Sequence, residues 1–164
     1  MRDAETLARA APPSPPRLPL FDRLLQGDSI ETDRNVDSAL RELRESVRRD
    51  LEILLNTRPA LTGTVPEGDE LSTSVLSFGM PELQNRNLST PAQQEVFRRL
   101  LENIIRRFEP RFRELTVELV GRDSTLDRTL RFRMRAVLQA DSSSEAVVYD
   151  TVVDPATGGL RILG

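Results

Sequence analysis

The sequence predicts an α+β protein, with helices packed on one face of a small antiparallel sheet formed by the C-terminal half. Two observations predict this fold. Up to residue 108, apolar residues recur at spacings of three and four, which is typical of amphipathic helices. From Leu115 onward they alternate at period two, as in half-buried strands. Helices followed by a run of strands are typical of α+β domains.

The N-terminal segment is rich in proline. Residues 1–18 contain Ala-Ala-Pro-Pro-Ser-Pro-Pro, so we expect a disordered arm there and a single domain over residues 19–164. The acids and prolines of these first residues do not resemble a secretory signal. A short apolar segment, Leu18–Leu25, predicts one or two helical turns that end at Gly27 and tie the arm down.

A first long helix is predicted over Ala39–Leu55. Asp37 or Ser38 is the expected N-cap, and the Asn-Thr-Arg-Pro segment at 56–59 ends the helix, because proline disfavours a preceding helical residue. The predicted buried face consists of Leu40, Leu43, Val47, Leu51, Leu54 and Leu55.

Two further helices follow. A short one is expected over Leu71–Phe78, closed by Gly79. A longer one begins after Thr90, with Pro91 at its first position and Gln93 where a capping box takes Glu or Gln. Pro110 is expected to end it. The predicted buried stripe is Val96, Leu100, Leu101, Ile104, Ile105 and Phe108.

The strands are predicted at Leu115–Leu119, Leu130–Leu138 and Ala146–Val153. The third is rich in valine and reads as apolar on both faces. A turn at 154–159 then precedes Leu160 and Ile162.

The composition excludes several kinds of chemistry. The chain has no cysteine and no histidine, which removes disulfides, thiolate nucleophiles, Ser-His-Asp and Cys-His catalysis, and His-based zinc sites. The enzymatic options that remain are a carboxylate pair, an oxygen-only metal site or an unusual nucleophile, and each needs positive evidence. Without it we expect no enzymatic activity, no cofactor and no metal. The net charge of -3 argues against nucleic-acid binding, and no apolar window reaches the roughly 20 residues of a membrane span.

Five short motifs carry a family resemblance: Phe21–Leu24, Val47–Leu51, Leu54–Arg58, Ser77–Pro81 and Phe108–Arg111. They occur in the order and approximate spacing of the phage baseplate-wedge, lysozyme-like family, and the resemblance covers roughly residue 19 to the end. The Leu-Leu-Asn-Thr-Arg motif resembles the TssE-type branch of type VI secretion. The departures are small, with Met80 where leucine is frequent and Phe78 where tyrosine is frequent.

The resemblance implies a structural baseplate subunit of a contractile injection machine. Its implied partners are the helical core bundle of the other wedge subunits and the first ring of sheath proteins. An open sheet edge, expected on the C-terminal strands, would accept the sheath by strand addition. The implied copy number is about six per baseplate. The implied location is cytoplasmic, in a baseplate docked at the inner membrane without membrane insertion.

The Glu-Pro-Arg triplet is the first candidate site. Glu109, Pro110 and Arg111 lie between the last helix and the first strand, where proline stiffens the corner. One hypothesis is that Arg111 grips a partner through a bidentate contact. The alternative is an internal ion pair at the helix end.

Two further candidate sites contain polar or basic residues. Asn56, Thr57 and Arg58 are predicted partner contacts, or else residues that satisfy backbone groups at a helix end. Arg131, Arg133 and Arg135 are predicted on one outer face of a strand. Segment 98–135 carries 11 arginines and 6 acids, so these three arginines either dock an acidic partner in a salt-dependent way or form surface ion pairs.

Two other functions compete with the structural one. A peptidoglycan-cleaving glycosidase would need paired carboxylates, for which Glu109 with Glu114, or Glu67 with Asp69 and Glu70, are the local candidates. A cytoplasmic protein-binding adaptor would use the same fold only to hold another protein.

Overall fold

The structure is a computed structural model that describes residues 19–26, 35–61, 69–81, 88–120, 129–140, 143–154 and 158–163. The helices are α1 (Leu20–Gln26), α2 (Val36–Asn56) and α3 (Pro91–Phe108), with 3-10 turns at Glu70–Thr73 and Val75–Ser77. The strands are β1 (Phe112–Val120), β2 (Leu130–Ala140), β3 (Ser143–Val153) and β4 (Leu160–Leu163). The predicted arm at 1–18 and the predicted helix end at Gly27 lie outside the described residues.

The strands form one antiparallel sheet of four in the order β1-β2-β3-β4. Across this sheet Val117, Met134 and Tyr149 are aligned in register and are all buried. The α+β prediction is therefore confirmed, including the position of the sheet in the C-terminal half.

Both long helices cover this buried face. The ring of Phe97 on α3 lies 5.4 Å from that of Phe132 on β2. The hydroxyl of Tyr149 on β3 donates a 3.1 Å hydrogen bond to the carbonyl of Arg44 on α2. None of the described helices combines the length and apolarity that crossing a bilayer requires.

The start of α2 differs from the prediction. The N-cap is Asn35, whose side chain accepts a bond from the Asp37 amide, rather than Asp37 or Ser38. Both predicted caps lie inside the first helical turn. The helix ends at Asn56 as expected, and the predicted buried face is correct except that Leu40 is only partly buried.

The N-terminus of α3 confirms the predicted capping box. Thr90 Oγ1 accepts the Gln93 amide at 3.3 Å, and Gln93 Oε1 accepts the Thr90 amide at 3.1 Å. The predicted buried stripe is wrong at Val96, which is 61% exposed, while Phe97 is 1% exposed, and the predicted Leu100 and Phe108 are only partly buried. The larger ring occupies the core, and it aligns with Leu101, Ile104 and Ile105 on one face.

One other element differs from the prediction, and β3 agrees with it. The segment predicted as a short helix over 71–78 forms the two 3-10 turns instead. In β3, residues 147, 149, 151 and 153 are buried, whereas Val148 is 54% exposed. This strand therefore alternates between buried and exposed residues, and its outer face also carries the apolar Ala146, Val148 and Val152, as the sequence predicts.

Gly79 allows the chain to pass close to the end of α2. Its φ is +123°, and a Cβ there would lie 2.3 Å from the Thr57 carbonyl oxygen. That oxygen accepts a 2.8 Å bond from the Met80 amide. Only glycine combines this backbone conformation with such a close approach.

Candidate protein interaction sites

The corner between α3 and β1 is built around a buried carboxylate. Glu109 is the C-cap of α3 and is 4% exposed. Its Oε1 accepts the Arg111 backbone N–H at 3.2 Å and Arg111 Nε at 2.6 Å, and its Oε2 accepts Arg111 Nη2. The exposed Pro110 separates the two side chains in sequence. The guanidinium therefore grips a carboxylate of its own chain in a bidentate way.

Arg111 also reaches α2. Its Nη2 lies 2.7 Å from Asp50 Oδ2, and 24% of its side chain is accessible to solvent. Burial lowers the pKa of Arg111, but the bonds and charges of Glu109 and Asp50 outweigh this effect and raise it. The internal ion pair at the helix end is thus present in the structure, and contact with a partner through the accessible quarter of Arg111 stays a prediction.

The charged network continues across α2 to α1. Arg49 Nε lies 4.0 Å from Asp50 Oδ1, and Arg49 Nη2 lies 2.6 Å from Asp22 Oδ1. Asp22 Oδ2 accepts the Ser46 hydroxyl at 2.7 Å. Burial raises the pKa of Asp22, but Ser46 and Arg49 outweigh it and lower this pKa. We call the series Asp22, Arg49, Asp50, Arg111 and Glu109 the ion ladder.

The position of α1 reverses the usual polarity of a surface helix. Asp22 is its buried residue, whereas its large apolar side chains point outward. Sequence reasoning expected the apolar residues to dock this helix and missed the role of the acid. The one available signal was the single aspartate, which with Arg23 interrupts an otherwise apolar segment. The exposed apolar residues are Leu20, Phe21, Leu24 and Leu25.

Asn56 connects the end of α2 to β4. Its Nδ2 donates to the carbonyls of Glu52 at 2.8 Å and Leu160 at 2.9 Å, and its Oδ1 accepts the Leu160 amide at 3.0 Å. The Thr57 hydroxyl donates to the Ile53 carbonyl at 2.6 Å. Asn56 and Thr57 therefore satisfy backbone groups, as their second interpretation expects. Arg58 is exposed, and partner binding by the motif stays a prediction.

Helix side chains bond some of the outward backbone groups on both lateral edges of the sheet. Beside β4, Asn56 bonds Leu160, and Arg48 Nη1 lies 3.5 Å from the Ile162 carbonyl. Beside β1, Arg98 Nη1 donates to the Val117 carbonyl at 3.0 Å, and Arg106 donates to that of Leu115. Such covering of an edge discourages pairing with another strand.

One stretch of edge lacks this cover. β4 pairs only with Asp150–Val153, so residues 143–149 of β3 have no neighbouring strand on that side within the described chain. A groove of about 260 Å³ runs there between β3 and α2. Its lining residues are Arg41, Arg44, Glu45, Arg48, Ala146, Val147, Val148 and Tyr149. We call this groove the β3 lane.

Arg131, Arg133 and Arg135 lie on the outer face of β2, alternating with buried residues as predicted. Arg133 donates two bonds to Asp150, at 2.7 and 3.2 Å, and Arg135 donates a 2.8 Å bond to Glu118. The bond from Arg133 lowers the pKa of Asp150. These cross-strand pairs neutralise the positive charges of Arg133 and Arg135, as the ion-pair interpretation expects. Residues 122, 123, 127 and 128 of the basic segment lie outside the described residues.

Among the described residues, the acids proposed for a glycosidase do not form a pair of carboxylates that face each other across a cleft. Glu109 is buried against Arg111, and Glu114 is exposed on β1. Asp69 caps a 3-10 turn by accepting the Leu71 amide at 3.1 Å, and Glu67 lies outside the described residues.

Comparisons with known proteins agree with this architecture. The family model described as Baseplate wedge protein gp25 matches residues 41–143, which is more than half of the chain. The match runs from α2 to the start of β3 and includes the corner with Glu109 and Arg111. A search of curated proteins gives no match. The chain therefore belongs to the baseplate wedge protein gp25 family, whose members are structural components of contractile-tail baseplates.

Proposed function

We propose that this baseplate subunit serves a type VI secretion machine as its TssE-type component. The Leu-Leu-Asn-Thr-Arg motif at 54–58 supports the type VI branch. In this role the chain is cytoplasmic, in a baseplate docked at the inner membrane, with about six copies per baseplate. It acts by holding other subunits and not by catalysis.

The observation that carries this proposal is the outward apolar face of α1. Leu20 and Leu24 are four residues apart, as are Phe21 and Leu25, and each of the four side chains is more than half exposed. Clustered large apolar side chains on a surface typically mark a protein contact. Helical partner segments, such as those of the wedge core bundle, match this stripe because they read positions i and i+4 on a neighbouring helix.

The ion ladder fixes the position of α1 and of the corner relative to α2. Asp22 holds α1 on α2 through Arg49 and Ser46, and Arg111 joins the same α2 segment to the corner before β1. A partner that contacts α1 and the accessible part of Arg111 would meet a pre-organised surface, which lowers the entropic cost of binding.

The sheet supplies the second contact in the proposal. A strand of a sheath protein adds to the sheet, and the β3 lane is the described stretch of edge where the backbone is open to it. At β1 and β4, helix side chains already bond some of the backbone groups, so a partner strand has fewer open groups to bind there.

Affinity purification from the native host, followed by mass spectrometry, tests the proposal. Wild-type protein should capture wedge and sheath subunits, and Leu24→Glu should lose the wedge subunits, because a charge in an apolar contact is costly to desolvate. The matched control is Val96→Glu, which places the same charge on an exposed apolar position of α3. Capture of only unrelated proteins by the wild type would favour an adaptor, and undiminished wedge capture by Leu24→Glu would reject the α1 contact.

A further inference from the structure

We infer that the β3 lane is a binding slot for an extended partner segment that alternates acidic and apolar side chains. This inference rests on the proposed function, in which a partner strand adds to the sheet. It goes beyond that proposal by assigning which side chains the segment must carry and which residue of α2 binds them.

The alternation of the sheet hydrogen bonds identifies the open backbone groups. Asn56 bonds both the N–H and the C=O of Leu160, so these groups point away from β3. The neighbouring Arg161 and Leu163 must then face β3, where they lie opposite Val152 and Asp150. Because a strand alternates at every residue, Ala146 and Val148 also direct their N–H and C=O groups into the lane.

An extended segment fits these groups better than a helix does. Open N–H and C=O groups on a strand edge are satisfied by the backbone of another strand. The lane continues the line of β4, with α2 as its wall: Asn56 lies beside Leu160, Arg48 beside Ile162, and Arg44 beside Tyr149. A segment in the lane would occupy the position that a longer β4 would fill.

The α2 wall of the lane selects for acidic side chains. Arg48 is already paired with Glu45 and Glu52, and Arg44 with Glu145. Arg41 differs, because its Nε donates only to the Asp37 carbonyl and no carboxylate pairs with it among the described residues. A partner carboxylate that faces α2 would give Arg41 the charge-assisted bond that its neighbours already have.

The opposite side of the lane favours apolar side chains. Val148 is 54% exposed on the outer face of the sheet, and Ala146 beside it is also exposed. In a paired strand, residues directly opposite on one face pack against each other. An added segment would therefore direct every second side chain towards α2 and the others towards Ala146 and Val148. This geometry sets the alternation of acidic and apolar residues.

Synthetic peptides test this slot on the isolated full-length chain. The probe is a fluorescein-labelled heptapeptide of alternating valine and glutamate, and its binding is measured by fluorescence anisotropy. We expect saturable binding that is at least about tenfold weaker for the peptide with lysine in place of glutamate. Equal binding of the two peptides, or no binding of either, would overturn the inference.

Backbone methylation separates strand addition from simple charge attraction. N-methyl groups on the peptide amides that face β3 should abolish binding, whereas N-methyl groups on the alternate amides should leave it largely intact, because only the first set donates to the sheet. Hydrogen exchange adds a readout on the protein, since the Ala146 and Val148 amides should become protected when the peptide binds. Equal loss from both methylation patterns would contradict strand addition.

Two protein variants complete the test. Arg41→Glu should weaken the glutamate peptide at least about tenfold and restore affinity for the lysine peptide. Arg99→Glu, the same charge reversal at an exposed site of α3, is the control and should change neither affinity. Equal effects of the two variants would reject Arg41 as the anchor. The affinity purification from the host tests membership of the baseplate separately. The proposed function and the peptide slot can therefore fail independently of each other.

Discussion

At the scale of single residues, the corner predicted to bind a partner forms an ion pair within its own chain. Glu109 is almost fully buried, and its carboxylate accepts three bonds from Arg111. A buried carboxylate needs such partners, because an unpaired buried charge is strongly unfavourable. Any partner that binds this corner therefore contacts an arginine whose orientation is already fixed by its own chain.

Removing this arginine should destabilise the protein. Arg111→Ala leaves Glu109 buried without its guanidinium and deprives Asp50 of a partner, so we expect the free energy of unfolding to fall by about 3 kcal/mol. Urea denaturation measures the change. Arg113→Ala, at an exposed position of β1, is the control and should lie within about 0.5 kcal/mol of wild type. A fully stable Arg111→Ala variant would mean that the internal pair contributes little.

Prediction of single residues succeeded where a residue type fits one position of a helix start. It failed where two adjacent apolar residues could each have been the buried one. Thr90, Pro91 and Gln93 each fit a single helix-start position, and the structure places all three there. Val96 and Phe97 are adjacent apolar residues, and the prediction chose Val96. Phe97 lies four, seven and eight positions before Leu101, Ile104 and Ile105, so it shares their buried face, and Val96 is left on the surface.

At the scale of elements, the short strand β4 depends on a helix for its outer hydrogen bonds. Asn56 replaces a neighbouring strand at Leu160, since its amide offers one donor and one acceptor with the spacing that a peptide group has. The sequence predicted the helix end and a turn before Leu160 separately, without a strand at β4. It gave no sign of their contact, because the two residues are 104 positions apart.

Loss of this contact should loosen β4. Asn56→Ala removes both bonds to Leu160, and we expect the protein to lose about 2 kcal/mol of stability. Amide hydrogen exchange should show faster exchange at Leu160. The control is Asn103→Ala, at an exposed position of α3. If exchange at Leu160 were unchanged in Asn56→Ala, water would be an adequate substitute for the asparagine.

Ion pairs on α2, α3 and β3 make the folding stability depend on pH in the same direction. Bonds from Arg98 and Arg99 lower the pKa of Glu95 to about 2. Bonds from Arg48 lower the pKa of Glu45, and a bond from Arg133 lowers that of Asp150. In each case the folded state binds its proton less readily than the unfolded state, so stability rises with pH through this range.

At the scale of the whole molecule, we therefore expect a broad loss of stability in acid. The stabilisation from these carboxylates is complete above about pH 5, where the unfolded chain is also ionised, and it is lost as the pH falls through the depressed pKa values. Between about pH 6 and 8 the stability should be nearly constant, because the chain contains no histidine. Urea denaturation at several pH values checks both parts. A marked change in stability near neutral pH would contradict this account.

The overall architecture was predictable from periodicity, but the surfaces available to partners were not. Period and order predicted helices on one face of a C-terminal sheet, because each element must bury its own apolar side. Which edge stays open depends on the lengths of β3 and β4 and on the reach of Arg48, Arg98 and Arg106. These are relations between distant elements, and local sequence patterns do not encode them.

The unequal lengths of β3 and β4 have a consequence for assembly as a whole. A sheet with two bare sides could recruit copies of itself without end and grow into a fibre. Here Arg98 and Arg106 bond two carbonyls of β1 and Asn56 bonds the backbone of β4, while residues 143–149 of β3 have no neighbouring strand on one side within the described chain. Under the proposed function, a short opening of this kind would let the subunit start a ring or a tube without its own copies polymerising on one another.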